Sequence, residues 1–142
     1  MTEPDKSILA MFAAYRAAVF AKDVEAFAAL YDSGVRVFDM WGEWSYDGLP
    51  AWRGMAAQWF GSLGAERVVV EFADARTAAE GDLAVADAFV TYRRVTAEGK
   101  ELRGMRNRIT WALRRSGDRW KVVHEHTSAP VDFDTSKVIG HD

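Results

Sequence analysis

Residues 116–130 read SGDRWKVVHEHTSAP, and the alternation inside this stretch decides how the chain closes. Ser-Gly-Asp is turn chemistry, and RWKVVHEHTS at 119–128 has the two-residue period of a strand. The segment before it, ending in ITWALRR at 109–115, has the same period, so the two form a hairpin. With Ser116-Gly117 as the turn, Leu113 stands opposite Trp120, Trp111 opposite Val122, Ile109 opposite His124 and Asn107 opposite His126. The other face pairs Ala112 with Lys121, Thr110 with Val123, Arg108 with Glu125 and Arg106 with Thr127. A one-residue slip would mix apolar and polar faces, so this register is favoured; only an even shift keeps the pattern.

In that register His124 and His126 point away from Glu125. They share a face with Trp111, Leu113, Trp120 and Val122, which reads as a packing or subunit face edged by two histidines. His-x-His on a strand can hold a metal only with a third ligand, and the remaining histidine, His141, lies in the tail, so no metal site is expected. Glu125 faces Arg108, with Arg106 one step along. Such a ladder is a solvated surface feature if the face is convex, and a buried polar cluster if it is concave.

Working back toward the start, three long strands are expected at about 66–78, 82–96 and 100–115, with the last at 119–129. Their joints, EGD at 80–82, AEGK at 97–100 and SGD at 116–118, all carry turn residues. Helices precede them. Ile8, Met11, Phe12, Tyr15 and Val19 space one face of a helix over 5–21; Thr2 with Asp5 resembles a capping box, and Pro4 suits a first turn. Lys22-Asp23 breaks the pattern, and a short helix follows on Val24, Phe27, Leu30 and Tyr31, ended by DSG at 32–34. VRVFDM at 35–40 reads as a strand, and WGEWSYDG at 41–48 as an aromatic loop or broken strand. Pro50 opens a third helix with Trp52, Met55, Ala56, Trp59, Phe60 and Leu63 in one stripe. Helices first and a meander of long antiparallel strands afterwards argue α+β. Three helices cover one sheet face; the other meets water or a second subunit.

The chain has 142 residues, enough for one domain with a sizeable core, read as 1–130 with an irregular tail at 131–142. Lys and Arg total 18 against 21 Asp and Glu, a net charge of −3 that gives no overall attraction to nucleic acid or anionic membrane. No apolar run has the roughly 18–20 residues of a membrane helix. The start MTEPDKS lacks a basic and then greasy leader, so a cytoplasmic protein is expected. There is no cysteine, which removes disulfides and thiolate chemistry. Arginines concentrate at 93, 94, 103, 106, 108, 114 and 115, either as solvated strand faces or as a local anion-friendly pocket.

Taken together, two helices, YDSGVRVFDMWG at 31–42, an aromatic third helix and the closing SGDRWKVVHEHTSAP resemble the SnoaL-like/NTF2-like superfamily over roughly residues 5–130. The closing segment is similar to the group that holds the association domain of calmodulin-dependent kinase, with its G-x-W followed by H-x-H-x-S. The resemblance implies a cystatin-like cone, N-terminal helices packed in a strongly curved, mostly antiparallel sheet. It implies a pocket on the concave face and a homodimer through the convex one. It would place Arg106, Arg108, Thr110, Glu125 and Thr127 inside, and His124, His126, Trp111 and Trp120 outside, unless a bulge reverses the faces locally.

From the ketosteroid isomerases the resemblance carries a helix tyrosine to Tyr15 and a strand-end aspartate to Asp39. A carboxylate in an apolar cone is a plausible base, and a tyrosine hydroxyl an oxyanion donor. Arg108 stands about where that family has its second oxyanion donor, which favours an anionic ligand over a steroid. From the epoxide hydrolases it carries an arginine to Arg106 and a carboxylate to Glu125, with Arg108 replacing an aspartate. Trp41 and Trp59 read as aromatic pocket walls. The expected function is a cofactor-independent isomerase, dehydratase or hydrolase acting on a small oxygenated or carboxylated compound. Asp39, Glu125 and Tyr15 would be catalytic; Arg106, Arg108, Trp41, Trp59, Thr110 and Thr127 would hold the ligand. The alternative is a non-catalytic ligand-binding or association module.

Overall fold

Asp5 opens the first helix: its carboxylate accepts from the backbone N–H of Ser7 at 2.8 Å and of Ile8 at 3.4 Å. It is itself the N-cap and not the third residue of a capping box. The computed structural model describes residues 5–140, so Thr2, Pro4 and His141 lie outside the described residues. Helix α1 runs Lys6–Ala21 and buries Ile8, Met11, Phe12, Tyr15 and Val19, the stripe that its periodicity predicts. Lys22 ends it in the left-handed region at φ 57°, and Asp23 caps α2, Val24–Ala28, by accepting from Ala26 N–H at 3.0 Å.

The short helix stops before Leu30 and Tyr31, because the sheet takes them. Val122 N–H donates to the Leu30 carbonyl at 2.9 Å, and Tyr31 begins β1, Tyr31–Phe38. Asp32-Ser33-Gly34 is therefore an excursion within β1: five steps from Tyr31 to Arg36 lie beside two steps from Val122 to His124. A two-residue strand β2, Tyr46–Asp47, pairs with β1 and leads into α3, Leu49–Ser62. Gly48 makes that corner at φ 92°, a conformation that costs other residues energy, with its N–H on the Val35 carbonyl at 2.7 Å.

Four long strands follow, β3 Arg67–Glu80, β4 Leu83–Val95, β5 Glu101–Ser116 and β6 Arg119–Ser128. The sheet has the order β2-β1-β6-β5-β4-β3, antiparallel except for the parallel β1–β6 pair. The α+β expectation holds, with helices against one face of a mostly antiparallel sheet. Beyond Pro130 the tail turns back, closed by a bridge between Val131 and Val138. No helix among the described residues is long and apolar enough to cross a membrane.

The last hairpin differs from its expected register twice. Its turn is Gly117-Asp118, with Gly117 at φ 62°, so Ser116 pairs with Arg119 and Leu113 with Val122. That even shift preserves the faces. A bulge at Val123 then adds one residue: Ala112 pairs with His124, Trp111 with Glu125 and Ile109 with Thr127. Past the bulge every side chain of β6 changes sides relative to β5. Trp111 and Trp120, expected on the outer face, are core residues, with Trp111 fully enclosed. Arg106, Arg108 and Thr110, expected inside, are exposed on the convex face.

The core is aromatic. Phe12 stacks on Trp111 with centroids 4.5 Å apart and an interplanar angle of 11°. Phe27 sits among Tyr31 at 5.2 Å, Tyr15 at 5.5 Å, Phe60 at 5.8 Å and Trp52 at 6.0 Å, joining all three helices to β1. Phe27→Ala is expected to destabilise the fold by about 3–5 kcal/mol in urea unfolding, because a cavity opens where four rings meet. Phe133→Ala should change stability by less than about 0.5 kcal/mol, since that ring is solvated.

Candidate active site

Between the helices and the concave sheet lies a cavity of about 310 Å³. Its walls come from Tyr15 of α1, Trp52, Met55 and Trp59 of α3, Tyr92 of β4, Asn107 of β5, Glu125 and Thr127 of β6, and Asp39 and Trp41 after β1. Of the expected site residues, Tyr15, Asp39, Trp41, Trp59, Glu125 and Thr127 meet there. Arg106, Arg108 and Thr110 do not, for the reason given by the bulge. Arg106 lies over the Phe89 ring at 4.8 Å on the convex side, and Arg108 and Thr110 border a shallow outer groove with Asp87. Among the described residues no arginine, lysine or histidine lines the cavity.

Glu125 is 1% exposed. One of its oxygens, Oε1, accepts both from the Tyr31 hydroxyl at 2.6 Å and from the Trp111 indole N–H at 2.8 Å. Both donors fall on the same atom, which leaves Oε2 for the cavity. Burial pushes the carboxyl up to about 7, the two donors oppose that rise, and the charge of Asp39 adds to it. A carboxyl titrating there can exchange a proton near neutral pH.

Asp39 reaches the cavity through the parallel register of β1 on β6. Val37 pairs with Glu125 and Phe38 with His126, so the next residue along each strand is Asp39 and Thr127. The Thr127 hydroxyl accepts from Met40 N–H at 2.9 Å and donates to Asp39 Oδ1 at 2.8 Å. That backbone N–H fixes the hydroxyl's orientation and commits its proton to the carboxylate. Burial raises the Asp39 carboxyl; Thr127 and the amides of Trp41 and Met40 pull it back.

Tyr15 and Tyr92 share a hydrogen bond at 2.9 Å between their hydroxyls. Burial raises both phenols, with the neighbouring Glu125 adding to it, so both stay protonated. One proton is used between them, and the second is free to donate outward. Asn107, 5% exposed, has its side-chain oxygen buried without a hydrogen-bond partner. A buried amide left unpaired in a ligand-sized cavity is an acceptor waiting for a donor.

Nothing in the sequence pattern marks Tyr31, Tyr92 or Asn107 for this site. Asn107 follows once the apolar side of β5 is taken as concave, because it continues Ile109, Trp111 and Leu113 at a period of two. Tyr31 needs the long-range pairing of β1 with β6. Outside, Phe38 packs between His124 at 4.9 Å and His126 at 5.6 Å, and His124 Nδ1 meets the Arg36 carbonyl at 2.7 Å. Among the described residues no three His, Cys, Asp or Glu side chains gather as a metal site.

The profile of the SnoaL-like domain matches residues 8–132. Among solved structures, an NTF2-like protein of unknown function from Pseudomonas putida is similar at 28% identity and TM-score 0.81, over 94% of this chain and 92% of that one. A protein of Xanthomonas campestris, provisionally assigned as a calcium/calmodulin-dependent protein kinase II association domain, shares the fold at 16% identity and TM-score 0.71, over 91% and 89%. A provisionally assigned aromatic ring hydroxylase of Novosphingobium aromaticivorans shares it at 19% identity and TM-score 0.67, over 86% and 85%. No curated protein matches the chain in sequence.

Between pH 4.5 and about 7 the folded chain holds a proton on Glu125 that the unfolded chain has lost. Stability therefore falls as pH rises through that window, by on the order of 3 kcal/mol in all, and the loss is complete above it. Glu125→Gln keeps an oxygen to accept from Tyr31 and Trp111 and carries no charge. Its thermal midpoint should exceed the native one at pH 8 and approach it near pH 5. A native midpoint that rose across the same window would contradict the buried, proton-holding carboxyl.

Proposed function

Because the chain belongs to the SnoaL-like domain family, whose fold by itself specifies no reaction, we propose from the cavity that it relocates a proton on a small oxygenated organic molecule. The part of the ligand that enters is apolar and uncharged, since the walls carry rings and two carboxyls with no cation among the described residues to match an anion. The observation that supports this most is the pairing of two unlike carboxyls in one small space. Asp39, held by Thr127, keeps its charge more readily; that charge helps hold the proton on Glu125. Environments that push two acids apart assign one as base and the other as acid.

In this reading Asp39 takes a proton from carbon beside a carbonyl. The outward hydroxyl of the Tyr15–Tyr92 pair donates to the carbonyl oxygen as negative charge develops there. Glu125 returns a proton from Oε2, either to another carbon, giving isomerisation, or to a leaving hydroxyl, giving dehydration. Trp41, Trp52 and Trp59 bury the ring body and keep water out. The hydrolysis reading loses its arginine, since Arg106 is on the far side of the sheet. A ligand-binding module without turnover is the alternative, favoured by the closed Tyr15–Tyr92 bond, which satisfies one donor without any substrate.

Turnover of ring-sized enones or β-hydroxy ketones is the test. kcat/KM should fall as pH rises above about 7, where Glu125 loses its proton. Asp39→Asn and Glu125→Gln should each lower it by roughly 10²–10⁴-fold while ligand binding and the fold persist. Binding without turnover by the native protein, unchanged in both variants, would favour the module.

The convex face is read as the surface for a second copy. Val85 and Phe89 are exposed there, Phe89 beside Arg106 and Arg108. Sedimentation should show a dimer that Phe89→Glu converts to monomer; a native monomer would end that reading.

A further inference from the structure

The concave face of the β4–β5 pair changes character along its length. Its cross-strand pairs run Ala88 with Ile109, Val90 with Asn107, Tyr92 with Met105 and Arg94 with Arg103. Each step of two residues advances about 7 Å, so the arginines stand about 13 Å along the strand from Asn107. Beyond Tyr92 a groove of about 490 Å³ begins, bordered by Trp41, Tyr92, Arg94, Arg103, Met105 and Val138. Trp41 and Tyr92 line the inner cavity as well, so cavity and groove adjoin across these two side chains.

Among the described residues no carboxylate borders that groove. Arg94 is partly neutralised by Glu66. Arg103 has neither an ion pair nor a hydrogen bond among the described residues, and it is exposed. Like charges directly opposite one another on neighbouring strands repel, and among the described residues one counter-ion serves two guanidinium groups. A second anion between them would relieve that repulsion, and a guanidinium fork matches a carboxylate with two hydrogen bonds. Deeper in, the Asp39 carboxylate repels an anion. The potential therefore runs from negative at the closed end to positive at the mouth.

We propose that Arg103, with Arg94, forms an anion subsite at the mouth of the cavity, and that the ligand is a long organic acid. Its apolar, oxygenated body lies against the tryptophans and its carboxylate rests on Arg103. The charge gradient admits such a molecule in one orientation only, body first. Its reacting carbons then lie near Asp39 and Glu125, and its carboxylate stays far from both. This rests on the cavity being a ligand site, and it returns the anionic character expected of the arginine-rich region to a different pair of arginines.

Calorimetric titration of the full chain with naphthylbutanoic acid and with its primary amide, at neutral pH and low salt, tests both layers separately. The acid should bind roughly tenfold more tightly than the amide, a preference that shrinks as salt is added. Arg103→Ala should abolish the preference and leave the amide's affinity unchanged. Arg106→Ala, on the opposite face, should leave the preference intact, and an unaltered thermal midpoint shows that both variants fold. Equal binding of acid and amide by the native protein overturns the subsite and spares the cavity. So does a preference that survives Arg103→Ala. Failure of both compounds to bind overturns the two together.

Discussion

One extra residue, Val123, governs where every functional side chain of the last strand goes. Before it, Trp120 and Val122 enter the core against Leu113; after it, Glu125 and Thr127 enter instead of the histidines. Without the bulge, strict alternation would bury His124 and His126 and leave Glu125 outside. With it, the carboxylate meets the Trp111 indole across the strands, and the Tyr31 hydroxyl reaches it from β1. Bulges often re-aim a side chain beside an active site, and the added twist suits a sheet that must curve around helices.

The resulting cavity has a consistent electrostatic design. Its two carboxyls are buried with no cation beside them among the described residues, so both are held closer to neutrality than they would be in water. Each is steadied by neutral donors, a phenol and an indole for one and a threonine hydroxyl for the other. Neutral donors leave the proton affinity adjustable, where an arginine partner would lock the charge in place. The arginines that sequence alone suggested for the pocket are displaced outward, some to the convex face and two to the mouth. Carboxyls in the cavity and guanidinium groups in the adjoining groove make two regions of opposite character.

Much of the architecture was legible beforehand. The apolar stripes of α1 and α3, the strand joints at 80–82, 97–100 and, shifted by one residue, 116–118, and the order of helices before strands stand in the structure. Those features are local, and local periodicity suffices for them. Leu30 and Tyr31 continue a helical spacing, yet they belong to the sheet because Val122 of β6, distant in sequence, donates to the Leu30 carbonyl and pairs with Tyr31. The face of Arg106 and Arg108 was misread for a related reason: the resemblance led Glu125 inward and took its supposed strand partners along. The apolar run Ile109, Trp111 and Leu113 was the better guide to the concave side.

By itself, the sequence determined the element order, the hairpin, the aromatic core and six of the residues that line the cavity, because each follows from spacing, turn chemistry or matched position along the fold. Only the tertiary structure decided which of them act on one another. The pairing of Tyr31 with Glu125, of Thr127 with Asp39 and of Tyr15 with Tyr92 joins distant segments, and a bulge leaves only the doublet Val122-Val123 as its trace. Proton affinity in the cavity is a property of that enclosure. Burial and donor placement create it, and neither exists until the sheet has closed on the helices.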